Sequence, residues 1–410
     1  MSLLTSTQAM TRLNAALDEA WQAKPLLGDE AMRAASAINR VLAKDVFTPT
    51  DIPAFRRSSV DGYAVRIADL PGQLRVIGEV LMGQLSGLRA EQGQAVRVPT
   101  GGFVVDGADA VLMIEDAQTH ENGAAISTTK TLAPGENTIH QGEDLRAGDA
   151  AIRAGTRLRE QDIAGLLSLG ITKVHVKKQP RVALISSGDE LVSPEAAPGP
   201  GQIRETNAAM LAALVRKNGG LPIVFDTLPD QRPAFEAAAQ RAMREADVVV
   251  FIAASSVGER DFVPQIVAGM GQPGIVAHRI AFRPGKPALF AACDGKPVFG
   301  LPGNPISALM TGMLFLAPTL WRALGAHNPP APAFARARLT QDFRSPADLE
   351  QWFPVLLSPS LCGDEAVPAA TPIPMKSNLI FSLVRADGVA CARIGVDQLP
   401  AGQMVDVRLF

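Results

Sequence analysis

The chain has 410 residues, 47% hydrophobic and 20% charged, with a formal net charge of −2 at pH 7. The length calls for about two to four domains rather than one core, and the composition excludes a disordered chain. A near-neutral balance excludes a general attraction to nucleic acid or to an anionic membrane, so any anion site has to be local. One Tyr and five His leave little material for base stacking or a His-metal cluster. Cys293, Cys362 and Cys391 are far apart, without metal-like spacing, and read as reduced thiols of a cytoplasmic protein. The first residues carry no apolar signal core, with Asp18 and Glu19 interrupting early.

From Ser6 to Trp21, Met10, Leu13, Leu17 and Trp21 recur at spacings of three and four, which predicts an amphipathic helix. A second helix is expected from Asp29 to Leu42 (DEAMRAASAINRVL), its acidic residues in the first turn. From Val46 to about Asp144, short runs such as RVIGEV, AVRV, AVLMIED and AAISTT among Gly and Pro predict a small β domain. Two polar loops stand out in it, Asp51 to Ala64 and Val98 to Val111, both compatible with ordinary turn chemistry. Between Ala147 and Val176, AGTRL leads to a helical pattern (Ile163, Leu166, Leu167) stopped by Gly170, and then to a strand, ITKVHV. With the second helix this makes a small αβ unit interrupted by the β domain.

From Pro180 strands and helices alternate. RVALIS runs into the turn Ser186-Ser187-Gly188-Asp189-Glu190, Thr206 to Asn218 is helical, LPIVFDTL leads to Asp230, and Pro233 starts another helix. DVVVFIA enters the loop 253–261, which holds Ser256, Gly258 and Asp261. Such alternation predicts a doubly wound parallel sheet with ligands at the carboxyl ends of its strands. The stretch Arg279 to Ala308 adds three cations, Arg279, Arg283 and Lys286, around a Pro-Gly turn. An apolar run with an Asp294-Gly295 turn follows, then Leu301-Pro302-Gly303-Asn304-Pro305. Asn304 is a good N-cap and Pro305 suits the first helical position, so a helix N-terminus with free N–H groups is expected to favour an anion there. The uncharged run between Lys296 and Arg322 is long enough to span a bilayer, but Pro302, Gly303, Asn304, Pro305 and Pro318 divide it into strand, turn and helix, and no membrane span is expected. Asp189, Glu190, Asp230 and Asp261 beside the cations are what a divalent metal bridging phosphate oxygens needs, although each alone suits a cap or a turn. No GxxxxGK[ST] P-loop occurs. Asn328-Pro-Pro-Ala-Pro is a stiff linker, and FARARL, WFPVLL, GVACARIG and MVDVRLF predict a final β domain.

The expected fold is therefore multidomain α/β plus β. The small αβ unit takes 29–47 and 147–178, the inserted β domain 48–146, the doubly wound αβ domain 5–28 and 179–327, and the C-terminal β domain 328–410. The segments SSVDGYAVR, PTGG, DGADAVLM, GEDLRAG, ALISSGDEL, QIRETNAAML, SVGERD, RPGKP and FGLPGNPISA, in this order, resemble the molybdopterin molybdenumtransferases, the MoeA and gephyrin E-domain family. The resemblance covers nearly the whole chain, and Pro-Gly-Lys-Pro followed by Leu-Pro-Gly-Asn-Pro-x-Ser carries most of its specificity. It implies a MogA-like αβ domain and a homodimer of elongated subunits, with the active site between the αβ domain of one and the β domain of the other. The implied reaction inserts molybdenum from molybdate into adenylylated molybdopterin with Mg²⁺, releasing AMP. A MogA-like adenylyltransferase and molybdoenzymes are the implied partners, with neither nucleic acid nor membrane.

Carried over residue by residue, the resemblance implies functional positions at Asp61, Thr100, Asp144, Glu190, Asp230, Asp261, Arg279, Arg283, Pro302 and Pro305, with Ser377 a looser match. Asp61, Thr100, Asp144 and Asp261 are the implied catalytic set, and Glu190, Asp230 or Asp261 could hold Mg²⁺. Ser187, Gly188, Asp189, Ser256, Gly258, Arg279, Arg283, Lys286, Pro302, Gly303, Asn304, Pro305 and Ser377 are the candidates for binding the pterin nucleotide and molybdate. The chain also departs from the family. Arg56 and Arg57 stand for the usual Asp-Asn, Ala253-Ala254 for Gly-Gly, and Arg279 and Arg283 for Lys. Trp352-Phe353-Pro354 occupies a strand near which the C-terminal domain usually has an Arg. The changes at Arg56, Arg57, Ala253 and Ala254 keep a second reading beside the leading one, a divergent paralogue that binds molybdopterin or its nucleotide as a carrier without inserting metal.

Overall fold

The computed structural model of the protein describes residues 3–252, 262–359 and 367–410. Contacts divide the chain into two compact units, one of 1–43, 155–159 and 173–410, the other of 44–154 and 160–172.

Helix Ser6–Ala23 opens the first unit with a reciprocal cap: the Gln8 N–H donates to Thr5 Oγ1 (3.1 Å) and the Thr5 N–H to Gln8 Oε1 (3.0 Å). Its buried Ala9, Leu13 and Leu17 lie on one face of a six-stranded sheet. The strand order is Leu221–Val224, Arg181–Ser186, Val248–Ile252, Lys296–Leu301, Leu289–Cys293, Pro273–His278. Alternation along the strands fills two cores. Val182, Leu184, Val248 and Val250 face helices Ser6–Ala23 and Asn207–Lys217, while Ala183, Ile185, Val249 and Phe251 face Arg232–Glu245 and Val263–Ala268.

The first four strands are parallel, but Leu289–Cys293 runs antiparallel to both its neighbours and only Pro273–His278 regains the common direction, a correction to the all-parallel expectation. The cause is the Asp294-Gly295 turn. Both residues have positive φ (49° and 79°), the handed twist a two-residue hairpin needs, so Leu289–Cys293 folds straight back on Lys296–Leu301. The run Gly269-Met270-Gly271-Gln272-Pro273-Gly274 has dinucleotide-fingerprint spacing but joins helix Val263–Ala268 to strand Pro273–His278, the reverse of the strand-to-helix order that such a site requires.

The helical stretch Pro305–Ala323 is long and apolar enough to cross a membrane, yet it is mostly buried within the protein. Phe315 on this stretch packs edge-on against Phe282 (centroids 5.2 Å) and tilted against Phe290 of the sheet (4.9 Å). Beyond the linker, Glu350–Ser358, Ala369–Pro372, Phe334–Leu339, Met404–Leu409 and Gly388–Ala392 pair in a ring, a closed five-stranded barrel around Phe353, Val355, Ala390 and Val407. The short strand Phe282–Arg283 of the sheet domain pairs in parallel with the start of Glu350–Ser358.

The expected helix from Asp29 to Leu42 is absent. Asp29–Arg33 is instead a strand, antiparallel to Lys173–Lys177, followed by a single tight turn at Ala34–Ser36. Alanine-rich local propensity lost to long-range pairing, reinforced by the Lys177–Asp29 ion pair (2.8 Å), and Asn39 at φ 62° is incompatible with a continuing helix.

In the second unit six strands run in the order Ala110–Met113, Gly62–Val65, Gln94–Val98, Gly72–Glu79, Ala125–Thr128, Gln118–His120. Ala64, Val96 and Val111 fill one face, and Tyr63, Val65, Ala95 and Leu112 the other.

Candidate active site

The cationic loop owes its shape to alternation between burial and exposure. Ile280, Ala281 and Phe282 are buried, whereas the flanking Arg279 and Arg283 are exposed. The buried side is clamped by neighbours on both sides: Ala281 N–H donates to Leu4 O (2.7 Å), and Glu350 N–H donates to Ala281 O (2.9 Å). Glu350 in turn accepts from Trp352 Nε1 (2.7 Å) and from Ser6 Oγ. Within the loop, Arg279 N–H donates to Ala288 O (3.0 Å) and Ile280 N–H to Lys286 O (2.9 Å), closing the turn around Pro284-Gly285. Gly285 sits at φ +133°, and a Cβ there would lie 2.6 Å from Thr311 Cγ2 and 3.1 Å from the Phe282 ring. Only glycine fits between the helix and the aromatic base of the loop.

Beside this loop strand Lys296–Leu301 ends at Pro302, and Asn304 and Pro305 begin the next helix as expected. The side chain of Asn304 makes no capping hydrogen bond. The Ile306 N–H donates instead to the Ser377 carbonyl (3.2 Å), so a donor expected to be free is taken by the C-terminal domain. Asn207 Nδ2 donates to Gly303 O (2.6 Å) and fixes the turn from the other side.

These elements enclose a cleft of about 690 Å³ lined by Arg283, Lys286, Pro302, Asn304, Ser307 and Lys376, with Ser377 and Asn378 beside them. Three of these residues are cations, and no carboxylate is among the described residues that line it. Five predicted binding residues therefore meet in one cleft: Arg283, Lys286, Pro302, Asn304 and Ser377. Gly303 and Pro305 belong to the same turn without lining the cleft, and Arg279 stands at the far end of the loop. Burial and then the neighbouring Arg279 hold the His278 imidazole below its ordinary range. Lys376 and Asn378 went unnoticed in the sequence.

The second group lies where Arg181–Ser186 ends. Ser187 is buried and bridges in parallel to Leu228, and Gly188 N–H donates to Leu228 O (3.2 Å). Gly188 adopts φ +148°, and a Cβ on it would strike the Glu190 carboxylate at 2.7 Å. Asp189 Oδ1 accepts the Asp230 N–H (3.2 Å), which brings the loops of Asp189, Glu190 and Asp230 together. None of these residues lines the cationic cleft. Among the described residues no group of three His, Cys, Asp or Glu side chains forms a metal site. Asp261, the remaining member of the expected metal set, lies outside the described residues, as do Ser256, Gly258, Ala253 and Ala254.

In the β unit, Asp61 and Thr100 meet. Asp61 Oδ1 accepts from the Thr100 N–H (2.7 Å) and from Thr100 Oγ1 (3.1 Å). The backbone donor first, and the hydroxyl second, hold the fully exposed Asp61 carboxyl below its ordinary range, so it is ionised at neutral pH. Asp144 belongs to a separate turn, its N–H donating to Ile52 O (3.0 Å). The Arg56 guanidinium donates to Ala108 O (2.6 Å), which makes it a staple of the loop that follows Gly107. Arg57 lies over the Phe55 ring at 5.8 Å, its buried Nε without a hydrogen-bond partner.

A doubly wound sheet carrying a cation-lined cleft at its strand ends, with a closed barrel in the same unit and a separate β unit, defines a multidomain protein whose cleft suits an anion. The chain matches three family descriptions: the MoeA N-terminal region (domain I and II) over residues 7–170, the probable molybdopterin binding domain over 183–322, and the MoeA C-terminal region (domain IV) over 336–410. It is 32% identical over 381 residues to the molybdopterin molybdenumtransferase of Staphylococcus epidermidis, covering 91% of this chain and 89% of that one. The enzyme of that name from Haemophilus influenzae is 35% identical over 298 residues, with 72% and 73% covered. The crystal structure of the molybdopterin biosynthesis moeA protein from Pyrococcus horikoshii OT3 superposes with a TM-score of 0.82 over 100% of both chains, at 29% identity. The chain belongs to the MoeA family: it is a transferase of molybdenum cofactor biosynthesis, of the molybdopterin molybdenumtransferase type.

Proposed function

We propose that the protein inserts molybdenum from molybdate into adenylylated molybdopterin and releases AMP. The observation that carries this reading is the cleft in which Arg283, Lys286 and Lys376 converge without a lining carboxylate. Molybdate is a compact dianion and the adenylylated pterin carries a pyrophosphate, and charge-assisted hydrogen bonds from arginine and lysine suit both. Loops held by backbone hydrogen bonds and by the Phe282–Phe315 contact keep these charges in place before the substrate arrives. No protein nucleophile is required: holding the oxyanion against the phosphoanhydride and stabilising charge as the AMP phosphate leaves is catalysis by positioning and electrostatics.

The loops of Glu190 and Asp230 are joined through the bond from the Asp230 N–H to Asp189, and their two carboxylates are the hard oxygen donors that Mg²⁺ prefers, with substrate phosphates and water completing its sphere. Glu190 and Asp230 would hold the ion, which would neutralise pyrophosphate charge when bound. The ionised Asp61 with Thr100 suits a polar wall of the pocket, and in a homodimer this wall comes from the partner subunit's Asp61. Adenylylated substrate would come from a MogA-like adenylyltransferase and the product would pass to molybdoenzymes, in the cytoplasm, where the unpaired Cys293 and Cys391 are at home.

The test is incubation of the purified protein with adenylylated molybdopterin, Mg²⁺ and molybdate, followed by chromatography for AMP. AMP release that depends on molybdate supports the reading. Tight binding of the pterin nucleotide without AMP release overturns it and identifies a carrier.

A further inference from the structure

The strand Glu350–Ser358 of the C-terminal domain carries no arginine or lysine. It presents Trp352 instead, whose Nε1 donates to Glu350 Oε1 (2.7 Å). The domain nevertheless sends a positive charge into the cleft by another route. The segment after strand Ala369–Pro372 carries Met375, Lys376, Ser377 and Asn378 to the cleft wall.

Its backbone is fixed at several points. The Ser377 carbonyl accepts the Ile306 N–H (3.2 Å), the Leu379 N–H donates to Lys376 O (2.8 Å), and Ser382 Oγ donates to Pro374 O (3.2 Å). Lys376 is thereby held next to the start of the helix at Pro305, lining the same cleft as Arg283 and Lys286, and it is exposed. It forms no ion pair among the described residues, and no carboxylate there lines the cleft to neutralise it.

We propose that Lys376 is an oxyanion-binding residue, the cation through which the C-terminal domain grips a tetrahedral dianion in this cleft. A lysine ammonium is a compact point charge on a flexible stem, which suits an ion presenting oxygens in every direction better than it suits a planar carboxylate. The third charge adds to the local potential of Arg283 and Lys286 and raises the occupancy of the site at low ionic strength. The oxyanion is either inorganic molybdate or a phosphate of the pterin nucleotide. This inference rests on the molybdenumtransferase reading for its biological setting but on the cleft alone for its chemistry.

Calorimetric titration of the full-length protein with sodium molybdate, and separately with AMP, tests it in the wild type, Lys376→Ala and Lys376→Arg. Circular dichroism and Tm check that the variants fold. Lys376→Ala is expected to weaken binding by about tenfold, the usual worth of one charge-assisted contact, and Lys376→Arg to stay within about threefold. A loss confined to molybdate assigns the inorganic ion to Lys376, and a loss confined to AMP assigns the phosphate; either supports the proposal. Unchanged affinity for both ligands in Lys376→Ala, or no molybdate or AMP binding by the wild type, overturns it. The two readings separate cleanly. Lys376-dependent oxyanion binding in a protein that never releases AMP removes the transferase reading alone, and AMP release unaffected by Lys376→Ala with unaltered affinities removes this one alone.

Discussion

The Ser377 carbonyl of the C-terminal domain accepts a 3.2 Å hydrogen bond from the N–H of Ile306, in the first turn of the buried apolar helix. One of the orphan donors of a helix N-terminus is thus spent on joining two domains rather than left for a ligand. The anion-binding character of this corner then rests on side-chain cations, and these are held by packing that single substitutions can disturb.

Gly285→Ala places a methyl group 2.6 Å from Thr311 Cγ2 in a backbone conformation that favours glycine. The loop must shift, and with it Arg283 and Lys286. A loss of about 1–3 kcal/mol in stability is expected, measurable by urea denaturation, together with weaker molybdate binding. A variant with wild-type stability and affinity would contradict this account of the turn.

Phe282→Ala removes a fully buried ring that supports the cationic loop from below and meets Phe315 at 5.2 Å. The cavity should cost about 3–5 kcal/mol. Phe282→Leu, which keeps much of the volume, should recover a large part of it in the same denaturation series.

Thr100→Val removes the hydroxyl donor to Asp61 but keeps the stronger backbone donor. The Asp61 pKa should therefore rise towards its ordinary 3.8 while remaining below it. A carboxyl whose pKa is depressed in the folded state contributes stability that is present above the unfolded pKa and lost as pH falls through the folded one. The variant should accordingly begin to lose that contribution at a slightly higher pH on acidification. Carbon-detected NMR titration of the Asp61 carboxyl reads the shift directly.

Burial pushes the thiols of Cys293 and Cys391 up to about 12. Both should resist iodoacetamide at pH 8 in the native protein and react readily in denaturant, because the thiolate is the nucleophile. Site-resolved mass spectrometry checks this, and rapid native labelling of Cys293 would show that the sheet core around it opens.

Much of the sheet domain was legible because its strands are short apolar runs between helices with clear periodicity, as in Arg181–Ser186 and Val248–Ile252. The cationic loop and the Pro302 turn were legible because they are contiguous in sequence. The strand Asp29–Arg33 was not, since its Ala-rich neighbourhood favours a helix locally and its partner Lys173–Lys177 is remote in the chain. The hairpin that reverses Leu289–Cys293 could have been read from Asp294-Gly295, a strong two-residue turn signal. Lys376 carried no signal of its own. It reaches the cleft only because Phe282–Arg283 pairs with Glu350–Ser358 and Ser377 binds Ile306, two contacts that no local pattern announces.

The most direct test of the central claim is the molybdenum content of the pterin product, measured by mass spectrometry after incubation with adenylylated molybdopterin, molybdate and Mg²⁺. The wild type should yield a molybdenum-bearing pterin in step with AMP. Arg283→Ala, stripped of a cleft cation, should retain its fold and lose at least about tenfold in rate. A wild type that leaves the pterin free of molybdenum, or an Arg283→Ala protein that inserts it at the full rate, would contradict the assignment of this cleft to molybdenum transfer.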